Sequence, residues 1–314
     1  MSKVIIGIHG IGNKPPKNLL KEWWEACISE GLEKLNFPKH NFDFDMVYWA
    51  DILNKEPILP VETKNKNTHF LREKYIPEQN ISSTEPSGFR KKVTDYLEKY
   101  YEKIIVDEIM SFDHPALTNF FIHYNVRELE AYFSQADFYY QGEKRIIKEV
   151  MMERLTTVLK KHRQKQILLI AHSMGSMISH DALLDKADGI SIDTLVTLGS
   201  PLGQKYIIKK IESEHNHTFH NRLKVPENIK KNWYNLSDPE DPIALVHILS
   251  DMYKSNSNGV RVIDKLVKNN YSNLGDRNPH KSYGYLRTPE VAEILSNFLT
   301  VEKRSIFSFF KKMF

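Results

Sequence analysis

Three residue types that together carry out nucleophilic catalysis follow one another along the second half of the chain. Ser173 comes first, an aspartate at 238 or 241 comes next, and His280 lies beyond them. A serine hydroxyl is a weak nucleophile until an imidazole takes its proton, and a carboxylate must hold that imidazole in the right tautomer and orientation. If the fold brings these side chains together, the order Ser, Asp, His predicts acyl-transfer chemistry.

The sequence around Ser173, AHSMG, is typical of a strand that turns sharply into a helix. The apolar run QILLIA (166–171) predicts the strand, and SMISHDALL (176–184) predicts the helix. Small residues at Ala171 and Gly175 let the two elements approach closely, which holds the hydroxyl on the turn. The usual signature, G-x-S-x-G, has glycine in place of Ala171, and alanine is still small enough. The competing interpretation is that Ser173 is an ordinary helix N-cap.

Two aspartates compete for the role of the acid. Asp241 stands directly before an apolar segment, whereas the position of Asp238 is also typical of a residue that caps a turn. We therefore favour Asp241 and keep Asp238 as the alternative. His280 is the candidate base, and it lies in a loop before a helix expected to begin near Thr288 and Pro289.

An oxyanion that forms on an acyl carbonyl needs backbone N–H donors that are already in place. Met174, directly after the serine, supplies one. The loop IHGIGN (8–13) follows the first predicted strand, and its glycines let the N–H of Ile11 face the same carbonyl. His9 and His172 adjoin these motifs and are interpreted as structural polar contacts.

The elements that must position these residues alternate between strand and helix. Strands are expected at 4–9, 41–51, 166–171, 192–201, 231–238 and 260–267, and helices at 17–35, 147–158 and 176–184. This alternation predicts an α/β fold, a mostly parallel sheet with helices on both faces.

Residues 52–139 interrupt this alternation. A polar, irregular stretch is followed by two amphipathic helical patterns rich in aromatic residues. We predict a core of 1–51 and 140–302 with an inserted lid or helical cap. The aromatic residues of the insertion either bury an apolar substrate or attach the cap to the core, and both interpretations stay open.

Composition excludes several classes of protein. The 314 residues are 41% hydrophobic and 27% charged, which is typical of a soluble globular protein, and no apolar segment reaches transmembrane length. Basic and acidic residues are intermixed, with a net charge of +4, so no nucleic-acid footprint is present. A single cysteine, Cys27, excludes an internal disulfide framework, and we expect a cytoplasmic protein.

No cofactor or metal is expected. Glycines at positions 7, 10 and 12 do not follow the G-x-G-x-x-G order of dinucleotide sites. His215, His217 and His220 share one polar segment, but their spacing matches no helical zinc pair, and a solvated loop explains them better than a zinc site.

The segments HGIG, AHSMG, TLGSPLG, DPEDP and HKSYGY together resemble the α/β-hydrolase superfamily, in particular its lipase-like and esterase-like members. The resemblance covers residues 3–51 and 140–300. It implies Ser173 as nucleophile, Asp241 as acid and His280 as base. The family's first two strands have no counterpart here, which implies a reduced sheet.

The expected function is cleavage of a carboxylic ester, with an apolar acyl or lipid substrate, through an acyl-enzyme. A thioesterase, an amidase or an acyltransferase could use the same residues. A non-catalytic protein with the same fold that binds a lipid or a partner is the alternative from another class.

The tail KRSIFSFFKKMF (303–314) places aromatic residues between basic pairs. Such a segment can lie in an anionic membrane interface, which would make the protein peripheral to a membrane. The competing interpretation is that its phenylalanines pack against the body of the protein.

Overall fold

A six-stranded parallel sheet forms the centre of the fold. The computed structural model describes residues 1–37, 42–58, 75–78, 126–134, 137–215, 223–273 and 276–300. The strands of the central sheet are Lys3–Ile8 (β1), Phe44–Val47 (β2), Gln166–His172 (β5), Ile192–Leu198 (β6), Ile229–Ser237 (β8) and Val262–Leu266 (β10). Their order is β10-β8-β6-β5-β1-β2, and every neighbouring pair is parallel. The predicted mostly parallel sheet is confirmed.

Helices cover both faces of this sheet. They are Lys17–Lys34 (α1), Val126–Phe133 (α2), Ile147–Lys161 (α3), Met174–Asp185 (α4), Lys205–His215 (α5), Ser282–Leu286 (α6) and Pro289–Leu299 (α7). Side chains of β1 alternate between two apolar layers: Val4, Ile6 and Ile8 pack with α3 and α4, whereas Ile5 packs with α1 and α7. A strand buried on both faces explains the continuous apolar sequence of β1.

Several elements differ from those expected. The strand expected at 41–51 is only Phe44–Val47, because the N–H of Trp49 donates to a histidine outside the sheet and a 3-10 turn, Ala50–Ile52, follows. The hairpin of Asp137–Tyr140 (β3) and Glu143–Ile146 (β4) was not predicted, and neither was α5.

In the described part of the chain, three pairs of short strands lie outside the central sheet. The first is β3 with β4. The others are Leu223–Lys224 (β7) with Tyr253–Lys254 (β9), and Ser272–Asn273 (β11) with Asp276–Arg277 (β12).

Most of the predicted insertion lies outside the described residues. Its described parts are 52–58, 75–78, 126–134 and 137–139, and α2 is the end of the second predicted helical pattern. The first helical pattern, the histidines at 217 and 220, and the tail 303–314 also lie outside the described residues. Within the described part of the chain, no helix is both long and apolar enough to span a bilayer.

Candidate active site

Ser173 occupies a sharp turn between β5 and α4. Its backbone has φ of 53° and ψ of −127°, a conformation that residues other than glycine adopt only at a cost in free energy. Its N–H donates to the carbonyl of Leu198 on neighbouring β6, at 2.9 Å, and the residue is 2% exposed. The surrounding sheet therefore holds the serine in the strained turn that the sequence predicted.

Two glycines allow the loop after β1 to lie against this turn. A methyl group at Gly10 would come within 2.7 Å of the Cβ of Ser173, and one at Gly175 within 2.7 Å of the carbonyl oxygen of His9. Both distances are below van der Waals contact, so a side chain at either position would force the loop and α4 apart. The glycines of the HG and AHSMG motifs are thus required by close backbone approach.

The structure brings Ser173, His280 and Asp241 into one hydrogen-bonded chain. Nε2 of His280 lies 3.0 Å from Oγ of Ser173, and Nδ1 lies 2.9 Å from Oδ2 of Asp241. Because a carboxylate only accepts, the Nδ1–H of His280 donates to it, which leaves Nε2 to accept from the serine hydroxyl. The arrangement can take a proton from the serine and stabilise the resulting imidazolium.

Further donors hold the carboxylate of Asp241 in place. Its Oδ1 accepts from the N–H of Ile243 at 2.9 Å, and its Oδ2 accepts from the hydroxyl of Tyr285 at 2.7 Å. Burial, and the negative charge of Asp241, raise the pKa of the Tyr285 phenol well above its usual value, so the phenol stays a donor. Sequence reasoning missed Tyr285, although it lies in the HKSYGY segment.

Asp238 lies apart from this chain of hydrogen bonds. Its carboxylate pairs with the guanidinium of Arg277, and it accepts from the N–H groups of Asn269 and Glu240. Burial raises the pKa of Asp238, and the charge of Arg277 opposes this shift. Of the two aspartates considered from the sequence, the structure thus places Asp241 against His280 and Asp238 in an ion pair with Arg277.

His172 supports the backbone of His280. Its Nε2 lies 2.7 Å from the carbonyl oxygen of His280, so Nε2–H must donate, and the centroids of the two rings are 4.8 Å apart. Burial and the neighbouring His280 lower the pKa of His172 well below its usual value. A neutral His172 therefore orients the loop that carries the candidate base.

His9 holds the loop after β1. The N–H of Trp49 donates to Nε2 of His9 at 3.0 Å, which leaves the Nδ1–H to donate to the carbonyl of Gly10 at 2.8 Å. Burial lowers the pKa of His9 well below its usual value. His9 and His172 are thus structural polar contacts, as the sequence analysis expected.

The two predicted oxyanion donors belong to the segments that meet at the nucleophile. Met174 is the first residue of α4, and Ile11 follows Gly10, whose Cα lies against Ser173. In a trans peptide the C=O and N–H point in opposite directions. Since the carbonyl of Gly10 faces His9, the N–H of Ile11 points the other way.

Sequence reasoning also missed two charged residues beside this loop. The N–H of Gly12 donates to Oε2 of Glu128, at 2.8 Å, and the ammonium of Lys14 donates to the carbonyls of Ile11 and Gly12. Burial lowers the pKa of Lys14 to about 7, while the charge of Glu128 acts in the opposite direction. Glu128 is separated from the loop by more than a hundred residues, so no local pattern could have revealed it.

The described residues contain no group of three or more histidine, cysteine, aspartate or glutamate side chains that could hold a metal ion. Of the three histidines weighed for zinc, only His215, the last residue of α5, falls within the described part of the chain.

A comparison with models of protein families finds a match to this chain. The model of the PGAP1-like alpha/beta domain matches residues 132–300, which are more than half of the sequence. The matched span contains Ser173, Asp241 and His280, and it begins after the loop that carries Ile11. No curated protein sequence matches the chain. The chain therefore belongs to the family of PGAP1-like alpha/beta domains, a member of the alpha/beta-hydrolase superfamily.

Proposed function

We propose that this protein is a serine hydrolase that cleaves a carboxylic ester through an acyl-enzyme. The observation that carries the proposal is the hydrogen-bonded chain from Oγ of Ser173 through His280 to Asp241, built on a strained turn. A strained, buried serine of this kind is costly to maintain for packing alone, and such strain occurs mainly at functional sites.

In the first half of the reaction, Oγ of Ser173 attacks the acyl carbonyl while Nε2 of His280 takes the hydroxyl proton. The C–O bond of the ester breaks, and the alcohol leaves with the proton from His280. In the second half a water molecule attacks the acyl-enzyme and gives a proton to His280. The bond between the acyl carbon and Oγ then breaks, His280 returns the proton to Oγ, and the acid leaves. The N–H groups of Ile11 and Met174 are proposed to stabilise the oxyanion at both steps.

An apolar acyl or lipid substrate is part of the proposal. Its support is the aromatic content of the insertion. At the described end of the insertion, Tyr132 and Phe133 pack against α5 and the core, which is the contact expected of aromatic residues that attach a cap. A thioester, an amide or an acyl acceptor other than water would use the same residues, and no contact of the described residues favours one of them over an ester.

A fluorophosphonate probe and a series of p-nitrophenyl esters test the proposal. We expect the wild-type protein to be labelled at Ser173, and turnover to increase with acyl-chain length. Ser173→Ala and His280→Ala should each lose turnover by a factor on the order of 10⁶ while keeping the fold. Labelling that persists in Ser173→Ala, or turnover within tenfold of wild type in either variant, contradicts the assignment.

A further inference from the structure

We infer that Glu128 is a positioning residue that aligns the oxyanion loop, and that helix α2 ties this loop to the helix that begins at Met174. This inference rests on the proposed function. Glu128 touches neither the nucleophile nor the base among the described contacts, so it would act through the backbone of the loop.

Glu128 contacts the loop directly. The side chain is 3% exposed, and its Oε2 accepts the N–H of Gly12 at 2.8 Å. The side-chain amide of Asn54 donates to the other carboxylate oxygen at 3.3 Å. A buried carboxylate with two donors has a fixed position, so Gly12 is held from outside its own loop.

The two peptide groups around Ile11 are held by side chains. In the peptide between Ile11 and Gly12, the N–H is held by Glu128 and the C=O by Lys14. In the preceding peptide, the C=O of Gly10 is held by His9. Among the described residues, the N–H of Ile11 is the one polar group of these two peptides to which the structure gives no partner. It is thus held in orientation by its neighbours and remains available to an oxyanion.

The opposite end of α2 contacts α4. Tyr132 lies four residues after Glu128, on the same helix face. Its hydroxyl donates to Oδ2 of Asp181 on α4 at 2.6 Å, and the ammonium of Lys148 from α3 lies 2.6 Å from the same oxygen. One face of α2 therefore contacts both the loop of Ile11 and the helix whose first N–H is the other predicted donor.

Electrostatics separates positioning from a direct effect of charge. A negative charge on Glu128 would oppose an oxyanion nearby, so its direct electrostatic effect on the transition state is unfavourable. Glu128 contributes an acceptor oxygen on a side chain long enough to reach the N–H of Gly12. Glutamine keeps both the reach and an acceptor oxygen, whereas aspartate keeps the charge and withdraws it by one methylene.

The experiment compares Glu128→Ala, Glu128→Gln and Glu128→Asp, with Glu130→Ala as the matched control, since Glu130 lies on the same helix and is exposed. The readouts are kcat and KM for p-nitrophenyl acetate, the rate of fluorophosphonate labelling, and the thermal midpoint.

We expect Glu128→Ala and Glu128→Asp to lower kcat and the labelling rate about 10- to 100-fold while KM stays within about twofold of wild type. The reason is that a displaced N–H of Ile11 weakens a hydrogen bond that forms mainly in the transition state. Glu128→Gln should stay within about threefold of wild type, and Glu130→Ala should be unchanged.

The inference is overturned if Glu128→Ala keeps the wild-type rates or if KM alone changes. It is also overturned if Glu128→Gln loses as much kcat as Glu128→Asp while the thermal midpoint is unchanged. If Glu128→Ala does not fold, the order of the Gln and Asp variants decides. If wild type and all variants are labelled at the same rate, the role of Glu128 is contradicted and the proposed function is not. If the wild-type protein is neither labelled nor active, both the proposed function and the role of Glu128 are contradicted.

The link through α2 has its own test. Tyr132→Phe removes only the hydroxyl that reaches Asp181, and we expect a smaller loss of kcat than for Glu128→Ala. Because both residues act through one helix, the double variant should lose less than the product of the two single losses. Independent, multiplicative losses would overturn the link.

Discussion

The hydroxyl of Tyr285 lies 2.7 Å from Oδ2 of Asp241, the carboxylate oxygen that also accepts from His280. The same hydroxyl accepts the N–H of Asp238 at 2.9 Å. One phenol thus joins the candidate acid to the backbone of the turn that carries it, and it is fully buried. The orientation of Asp241 depends on a residue from α6, five positions after the candidate base.

We therefore expect Tyr285→Phe to lower both stability and turnover. The N–H of Asp238 would lose its partner in a buried site, which costs about 1–3 kcal/mol. A less restrained Asp241 should reduce kcat about 3- to 10-fold. Urea unfolding and ester hydrolysis measure the two effects, and a variant with wild-type values in both assays would contradict the structural role of the phenol.

The two aspartates should separate into one catalytic and one structural residue. Asp241→Asn should lower kcat on the order of 10⁴-fold, because the imidazole loses the partner that fixes its tautomer. Asp238→Asn should instead cost about 1–3 kcal/mol of stability, while kcat of the folded fraction stays within about tenfold. Arg277 keeps its pair with Glu240 but loses the buried carboxylate, and either the N–H of Asn269 or that of Glu240 loses its acceptor. If Asp238→Asn is the variant that loses turnover, Asp238 is the acid.

Local patterns in the sequence predicted the parallel sheet and the turn at Ser173, because each depends on residues a few positions apart. The apolar run of β5 and the small residues Ala171 and Gly175 carry that information in one short segment. The helix start at Thr288 was also predictable: its hydroxyl caps the N–H of Val291, and Pro289 follows.

What the sequence could not predict depends on contacts between distant segments. Glu128 contacts Gly12 only once α2 has docked, and Lys14 becomes partly buried only in the folded loop. The missed β3–β4 hairpin has a local cause: its turn uses Gln141 and Gly142 with positive φ, where the common signal is Asn-Gly.

The lowered pKa of Lys14 predicts a pH dependence of stability. Its pKa falls from the usual 10.5 to about 7 on folding. Between these values the unfolded chain binds a proton at this site that the folded chain has released, so the free energy of unfolding rises with pH across this window. Lys14→Met removes the titrating group. From pH 6.5 to 9.5, the free energy of unfolding of wild type should therefore rise relative to that of the variant, by on the order of 1 kcal/mol or more.

Urea unfolding at the two pH values measures this change. Other groups titrate in both proteins and cancel in the comparison, provided that the fold is the same. A stability difference that is constant with pH would show that Lys14 keeps an ordinary pKa in the folded protein.

The close approach of α4 to β1 gives the last prediction. A methyl group at Gly175 would lie 2.7 Å from the carbonyl oxygen of His9 and 2.8 Å from that of Ile8, and both are backbone atoms that cannot move without displacing β1. Alanine is ordinarily favoured over glycine within a helix by about 1 kcal/mol. Here we expect Gly175→Ala to cost about 1–3 kcal/mol instead, and to slow fluorophosphonate labelling, because α4 and the loop of Ile11 are forced apart.

Ala171→Gly is the matched control, since it changes a small residue on the other side of Ser173 and restores the usual G-x-S-x-G signature. It should cost about 0.5–1 kcal/mol, as glycine does in a strand, and leave the labelling rate near wild type. Equal labelling of Gly175→Ala and wild type would mean that the loop and α4 can separate without loss of the donors. In that case, the close approach seen at Gly175 would serve packing and not the alignment of the oxyanion donors.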